Sequence, residues 1–387
     1  MRVFIVAGEA SGDKLGAALM KGLRAHRSDV QFEGVGGDRM IAEGLQSLFP
    51  MDEISIMGIT EILSQYRHLK ARIRETAEAV LAAKPDVLIT IDLPEFGLRV
   101  AKLVKERSNI RTVHYVAPTV WAWRPGRAKK MARHIDQVLA LLPFEPPYME
   151  AAGMRCDFVG HPVVTDPVAT PGDTAAFRNA NGIDDAPLVL ILPGSRRSEV
   201  TRLMPIFAQV VDTLNKQRTD LKFVLPAAPN VAGLIQDALA SWTVKPIVID
   251  PVQDGMSAKQ AAFKAADVAL AASGTVSLEL AASATPMVIA YDMNWVSRQI
   301  IGRLLLVDTV TLVNLVSDTR VVPEYIGADC QPEPIAQAVV DILDAPDKQI
   351  AAMALTMERL GQGGLPPGER AALAVLDGLN ENGGQPG

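Results

Sequence analysis

Short unbroken runs of aliphatic residues alternate along the chain with longer stretches whose apolar positions recur every three or four residues. Runs of the first kind lie at 3–7, 87–91, 112–116 and 137–141. Continuous rather than alternating runs suit strands buried on both faces of a parallel sheet. Helical spacing appears after Asp13 (Leu15, Leu19, Leu23), over 73–81 and over 98–104. The rhythm breaks across 160–187, where His161-Pro162, Asp166-Pro167, Pro171-Gly172 and Ala186-Pro187 mark turns around one short helix near 174–180. It restarts with a run at 188–192, a helix over 199–214, and runs at 222–225, 246–249, 268–271 and 287–290. Polar helices are expected at 332–344, 347–360 and 368–380. The pattern predicts an α/β protein of two Rossmann-like, doubly wound domains facing a cleft. The expected division is 1–165, 166–345, and a C-terminal segment 346–387 that packs back toward the first domain.

Composition narrows the class. The 387 residues suffice for two domains, and 49% hydrophobic with 21% charged residues supports a globular core. A net charge of −6 argues against a general nucleic-acid binder. Two cysteines, Cys156 and Cys330, exclude a disulfide scaffold. The five histidines (His26, His68, His114, His134 and His161) form no i, i+4 metal pair. There is no secretory signal and no apolar stretch of spanning length. The expectation is a cytoplasmic protein, at most peripheral to a membrane.

Candidate chemistry falls at strand ends. Pro193-Gly194-Ser195-Arg196 follows a buried run and opens a helix, whose free N–H groups and dipole suit a phosphate, with Arg196 as a forked partner. Ser273, Gly274 and Thr275 repeat that arrangement, and Glu279 lies one helical turn on, where a ribose diol would fall. Each turn alone also reads as ordinary capping; together they favour a nucleoside diphosphate. There is no G-x-G-x-x-G after the first strand, no P-loop and no Asp-x-Asp, so no cofactor and no metal is expected. Leaving-group charge would fall to Arg196 and helix dipoles. Asp92 ends a strongly apolar run as either a general base or a cap for the helix beginning near Pro94. Glu9, Ser11 and Asp13 form a second candidate active-site loop.

Two regions suggest an anionic or lipid surface. In 56–70, Ile59, Ile62, Leu63, Tyr66 and Leu69 recur at helical spacing, and Arg67, Lys70, Arg72 and Arg74 follow. In 121–133, Trp121 and Trp123 stand beside Arg124, Arg127, Lys129, Lys130 and Arg133. The competing structural reading is a core helix with a solvated basic face.

Taken together, 6–13, 57–61, 91–94, 114–118, 120–124, 142–145, 160–162, 192–196 and 272–275 resemble, in that order, the lipid-A-disaccharide synthases, over roughly residues 3–316. The resemblance implies a GT-B glycosyltransferase fold, with a last helix crossing back to the N-terminal domain. It implies transfer, with inversion, of diacylglucosamine from UDP-2,3-diacylglucosamine to 2,3-diacylglucosamine 1-phosphate, at the inner face of the inner membrane. It assigns Asp92 as the catalytic carboxylate, Arg196, Glu279 and Asn314 to the nucleotide side, and 59–69 to acyl-chain and membrane contact. One departure is Val313, where the family usually has proline before the asparagine. The alternatives are another enzyme of the same fold acting on UDP-N-acetylglucosamine, an epimerase or a peptidoglycan-type transferase, and a non-catalytic lipid-binding protein. An oligomer is compatible with all of these.

Overall fold

A computed structural model describes residues 1–55, 59–293 and 305–383, with backbone alone at 59–65 and 382–383. The chain forms two compact units: Met1–Thr165 together with the segment from Gly363 onward, and Asp166–Gln362.

In the first unit the strands are β1 (Arg2–Ala7), β2 (Gln31–Val35), β3 (Gln46–Ser47), β4 (Val87–Ile91), β5 (Arg111–Tyr115), β6 (Gln137–Ala140) and β7 (Arg155–Phe158). Among the described residues they form one parallel sheet in the order β3-β2-β1-β4-β5-β6-β7. The apolar runs are all strands. β2, β3 and β7 escape the sequence pattern because they lie toward the sheet edges and mix polar residues into short segments, as in Arg155-Cys156-Asp157-Phe158. The helices are α1 (Ala10–His26), α2 (Asp38–Ala42), α3 (Ile59–Ala83), α4 (Pro94–Lys105), α5 (Gly126–Met131) and α6 (Pro146–Glu150). α3, α4 and α5 cover one face of the sheet through Leu69, Ile73, Val100 and Met131. α1 covers the other, packing Leu15 and Leu19 on Ile5 and Ile89.

The second unit begins with α7 (Pro171–Ala180). It then runs β8 (Leu188–Leu192), α8 (Arg197–Gln217), β9 (Lys222–Pro226), α9 (Ala232–Leu239), β10 (Ile247–Ile249), α10 (Met256–Ala265), β11 (Val268–Ala272), α11 (Val276–Ser283) and β12 (Met287–Tyr291). α12 (Leu312–Ser317), β13 (Glu324–Ile326), α13 (Pro332–Asp344) and α14 (Asp347–Arg359) follow. Its parallel sheet has the order β10-β9-β8-β11-β12-β13.

The two last helices part company. α14 belongs to the second unit: the Gln349 amide donates to Met287 O (2.9 Å) and accepts from Met287 N (2.8 Å), so it caps the entry of β12. This corrects the assignment of all of 346–387 to the first domain's side. α15 (Pro367–Gly383) packs on α1 instead. A Cβ at Gly22 would lie 2.7 Å from Gly368 O, so only glycine permits so close a backbone approach. Arg155 pairs with Asp377 at 2.6 Å, and Gln137 Nε2 donates to Ala374 O at 2.9 Å.

The amphiphilic stretches are only partly as expected. Leu69 is 8% exposed and sits in the buried cluster beneath α3, whereas Tyr66 is 48% exposed. Leu69 is therefore a core residue and not a lipid contact, because its helical phase turns it toward the sheet. Arg72 is also turned inward, bound to Glu53 and Glu75 and stacked 4.4 Å over the Phe49 ring. The Ile59, Ile62 and Leu63 side chains lie outside the described residues. Trp121 is buried too, edge-on to the Phe144 ring at 5.1 Å, with its indole N–H donated to Glu145 (3.3 Å). Leu69→Ala is expected to cost about 2–5 kcal/mol in denaturant unfolding, and Tyr66→Ala less than about 0.5 kcal/mol.

Candidate active site

In each sheet the first and fourth strands of its unit lie side by side, β1 beside β4 and β8 beside β11. Chains leaving such a pair diverge to opposite faces and open a crevice at the carboxyl ends. The sequence motifs fall at these two points.

In the second unit the crevice is a cavity of about 470 Å³. Its polar wall carries Ser195, Arg196, Ser273, Gly274, Thr275 and Glu279, and its apolar wall Pro229, Pro251, Met256 and Phe263. The two helix starts on this cavity differ. At α8, Glu199 Oε2 accepts from Ser195 N and Arg196 N, both at 3.2 Å, and Asn230 Nδ2 donates to Ser195 O at 2.7 Å. That turn caps itself, so Ser195 offers no free N–H there. Gly194, at φ +103°, is needed because a Cβ would fall 2.6 Å from Glu199 Oε2. Arg196 keeps a side chain 74% exposed, with one contact to Glu199 Oε1 at 3.3 Å. At α11 the N–H groups of Thr275 and Val276 have no acceptor among the described residues, and nothing stands within 4 Å of a Cβ on Gly274. The α11 terminus thus keeps two backbone donors open, and the Arg196 turn lines the same cavity.

Glu279 lines the cavity and is bound by Lys259 Nζ at 2.9 Å. Glu199, Asn230 and Lys259 were not singled out in the sequence. The acid three residues after Arg196 was a legible capping signal for Glu199, and nothing local marks the other two.

Asn314 is not part of this cavity. It is 1% exposed; its Nδ2 donates to Val322 O (2.9 Å) and Thr309 Oγ1 (3.2 Å), and its Oδ1 accepts from Val322 N (3.0 Å). The side chain mimics a strand partner for the approach to β13, which corrects its nucleotide-side assignment. Val313 occupies the first turn of α12, where no intrahelical N–H bond is required, so valine fits as proline would.

In the first unit Asp92 (φ +50°) and Leu93 (φ +42°) are consecutive left-handed residues, a costly conformation for non-glycine side chains. Asp92 N extends the ladder to Tyr115 O at 2.9 Å before the turn. Among the described residues the donor to its carboxylate is Leu93 N, at 3.0 Å to Oδ1. Leu93 is the N-cap of α4, which has no side-chain cap, so Asp92 does not cap that helix. Burial raises its carboxyl above the ordinary aspartate value. Gly8 lies directly beneath: a Cβ there would meet Leu93 Cδ2 at 2.2 Å.

Asp13 is excluded as a reacting carboxylate. It is buried and accepts from Gly37 N, Arg39 N and Met40 N at 2.9, 3.0 and 3.1 Å, capping α2 from α1. Ser11 is exposed on the first turn of α1, and half-buried Glu9 is its N-cap residue. On β4 and β5, Thr90 Oγ1 lies 2.8 Å from His114 Nδ1 in a fully buried pair. Burial lowers His114 from 6.5 to about 4.

Two doubly wound domains of this topology, with a cavity at the switch point of the second, define the GT-B fold. A solved structure of UDP-GlcNAc 2-epimerase from Neisseria meningitidis, bound to UDP-GlcNAc, has the same fold, with a TM-score of 0.63 at 14% identity over 99% of this chain and 100% of that one. The profile of the lipid-A-disaccharide synthetase family matches residues 3–371. The chain is 62% identical to the lipid-A-disaccharide synthase of Ruegeria pomeroyi over 98% of its length and 96% of the relative's. It is 47% identical to that of Rhodospirillum centenum, over 97% and 94%. The chain belongs to the lipid-A-disaccharide synthase family, and it is a glycosyltransferase of lipid A biosynthesis.

The buried imidazole carries a pH signature. Because folding lowers its pKa, its contribution is complete above about pH 6.5 and is lost as pH falls toward about 4. His114→Gln should remove up to about 3 kcal/mol of acid-side destabilisation in that window, read from unfolding free energies at pH 7 and pH 4.5.

Proposed function

We propose that the enzyme joins 2,3-diacylglucosamine, taken from UDP-2,3-diacylglucosamine, to 2,3-diacylglucosamine 1-phosphate, with inversion at the anomeric carbon. The products are lipid A disaccharide 1-phosphate and UDP. Asp92 carries the reading: a desolvated carboxylate, held out of a helix-capping role by two strained residues, suits a general base. It removes the proton of the acceptor hydroxyl as that oxygen bonds to the anomeric carbon. The bond from that carbon to the diphosphate oxygen breaks, and its electron pair leaves with UDP. The open α11 terminus and Arg196 meet the developing charge. The apolar wall of the cavity takes the base, and Glu279 the ribose.

The acylated substrates imply work at a lipid surface, and we place the enzyme peripherally at the inner face of the inner membrane. Among the described residues no helix is long and apolar enough to cross a membrane. The first unit offers a surface for it. On α3, Tyr66, Arg67, Lys70 and Arg74 are exposed; after β5, so are Arg124, Lys129, Lys130 and Arg133, beside half-buried Trp123. Leu69 of α3 and Met131 of α5 share one buried cluster, so both helices lie on the same face of the sheet. Arg124 stacks 4.4 Å from the Trp123 ring, pairing a cation with an amphipathic aromatic as a lipid boundary favours.

Mass analysis should detect the disaccharide 1-phosphate from the two named substrates. Asp92→Asn keeps the acceptor for Leu93 N, so the fold should persist while turnover drops roughly 10²–10⁴-fold and UDP affinity stays unchanged. Near-normal turnover would remove Asp92 from the mechanism. For the lipid surface, Trp123→Ala with Lys129→Gln and Lys130→Gln should reduce sedimentation with anionic vesicles at an unchanged melting temperature. Each lost cation contributes about 1 kcal/mol, screened by salt. Undiminished sedimentation would rule this surface out.

A further inference from the structure

We infer that Lys259 is a positioning residue for the ribose diol of the bound nucleotide, acting through Glu279; this rests on the reading of the cavity as a UDP site. Lys259 projects from α10 into the cavity wall, and its Nζ donates to Glu279 Oε2 at 2.9 Å. The ammonium also stands 5.0 Å from the centre of the Phe263 ring on its own helix, so ring and carboxylate hold it from two sides. Glu279 lies on α11 one turn beyond the open N–H groups of Thr275 and Val276. A diphosphate at that terminus leaves the ribose to reach the carboxylate one turn along the helix.

An ionised carboxylate only accepts hydrogen bonds, and each hydroxyl of a diol has an O–H to donate to it. Glu279 has a side chain 42% exposed, and a free carboxylate at that exposure samples several rotamers. Lys259 fixes one oxygen and leaves Oε1 for the sugar hydroxyls. Its role is distinct from fastening the helices, because Lys264 Nζ already ties α10 to α11 through Ser283 O at 2.9 Å. The sequence gives no hint of this pairing, since the partners stand 20 residues apart on separate helices.

Calorimetric titration with UDP, 2′-deoxy-UDP and 3′-deoxy-UDP tests the inference on wild type, Lys259→Met, Lys259→Arg and Glu279→Gln. Wild type should prefer UDP over at least one deoxy analogue by about tenfold, the scale of a hydrogen bond to a charged group. Lys259→Met should collapse that preference toward the Glu279→Gln value, with an unchanged melting temperature of the free protein. Lys259→Arg should retain most of it, and the Met/Gln double variant should lose no more than either single one. Equal weakening of all three nucleotides in Lys259→Met would mean that Lys259 reads the diphosphate, and would overturn the inference. An unaltered preference in that variant would overturn it as well, leaving the UDP site standing. Failure of wild type to bind UDP would remove both.

Discussion

A parallel strand cannot turn straight back into its neighbour; the chain must cross over the sheet, and the helix that carries it covers one face. With two groups of crossovers wound in opposite directions from the centre, the first and fourth strands of each unit become neighbours whose exits diverge. The candidate site residues of this protein lie at those two divergences. The loop after β4 and the loop after β1 touch through Leu93 and Gly8. The turns after β8 and β11 line one cavity. Neither arrangement requires the candidate residues to be near one another in sequence.

The backbone N–H groups exposed where helices begin are the second organising element, and the protein treats them unequally. At α2 they are taken by Asp13, and at the turn before α8 by Glu199. Both acids are buried and accept hydrogen bonds from the backbone. At α11 no side chain takes that place among the described residues. The α11 terminus therefore keeps donors open to the cavity, while the turn before α8 is held by Glu199 and presents Arg196 outward.

Strain marks the turn after β4. Two left-handed residues in succession at Asp92 and Leu93 cost of order 1–2 kcal/mol each. The buried strand behind them and α4 ahead of them supply the packing that sustains this cost. The same turn withdraws the Asp92 carboxylate from water, which raises its pKa above the ordinary aspartate value. On the far side of the first sheet, α15 lies against α1 and adds Ala371, Ala372 and Val375 to the core there.

Alternation of apolar runs with helical periodicity determined the fold class, the central strands of both sheets and the break between units near residue 165, because burial on both faces imposes a local pattern. The strand-end placement of Asp92, Gly194, Arg196, Gly274 and Glu279 was legible for the same reason. What escaped depends on partners far along the chain. Edge strands such as β7 carry half-exposed polar residues and no distinctive pattern. Leu69 and Trp121 looked amphiphilic in line, and only their packing shows them buried. Asn314 and Asp13 resembled site residues, yet their polar atoms are consumed by backbone groups of Val322 and of Gly37 to Met40. Whether a polar side chain is spent inside the protein or left for a ligand is a matter of which hydrogen-bond partners folding brings to it, and that is settled only in three dimensions.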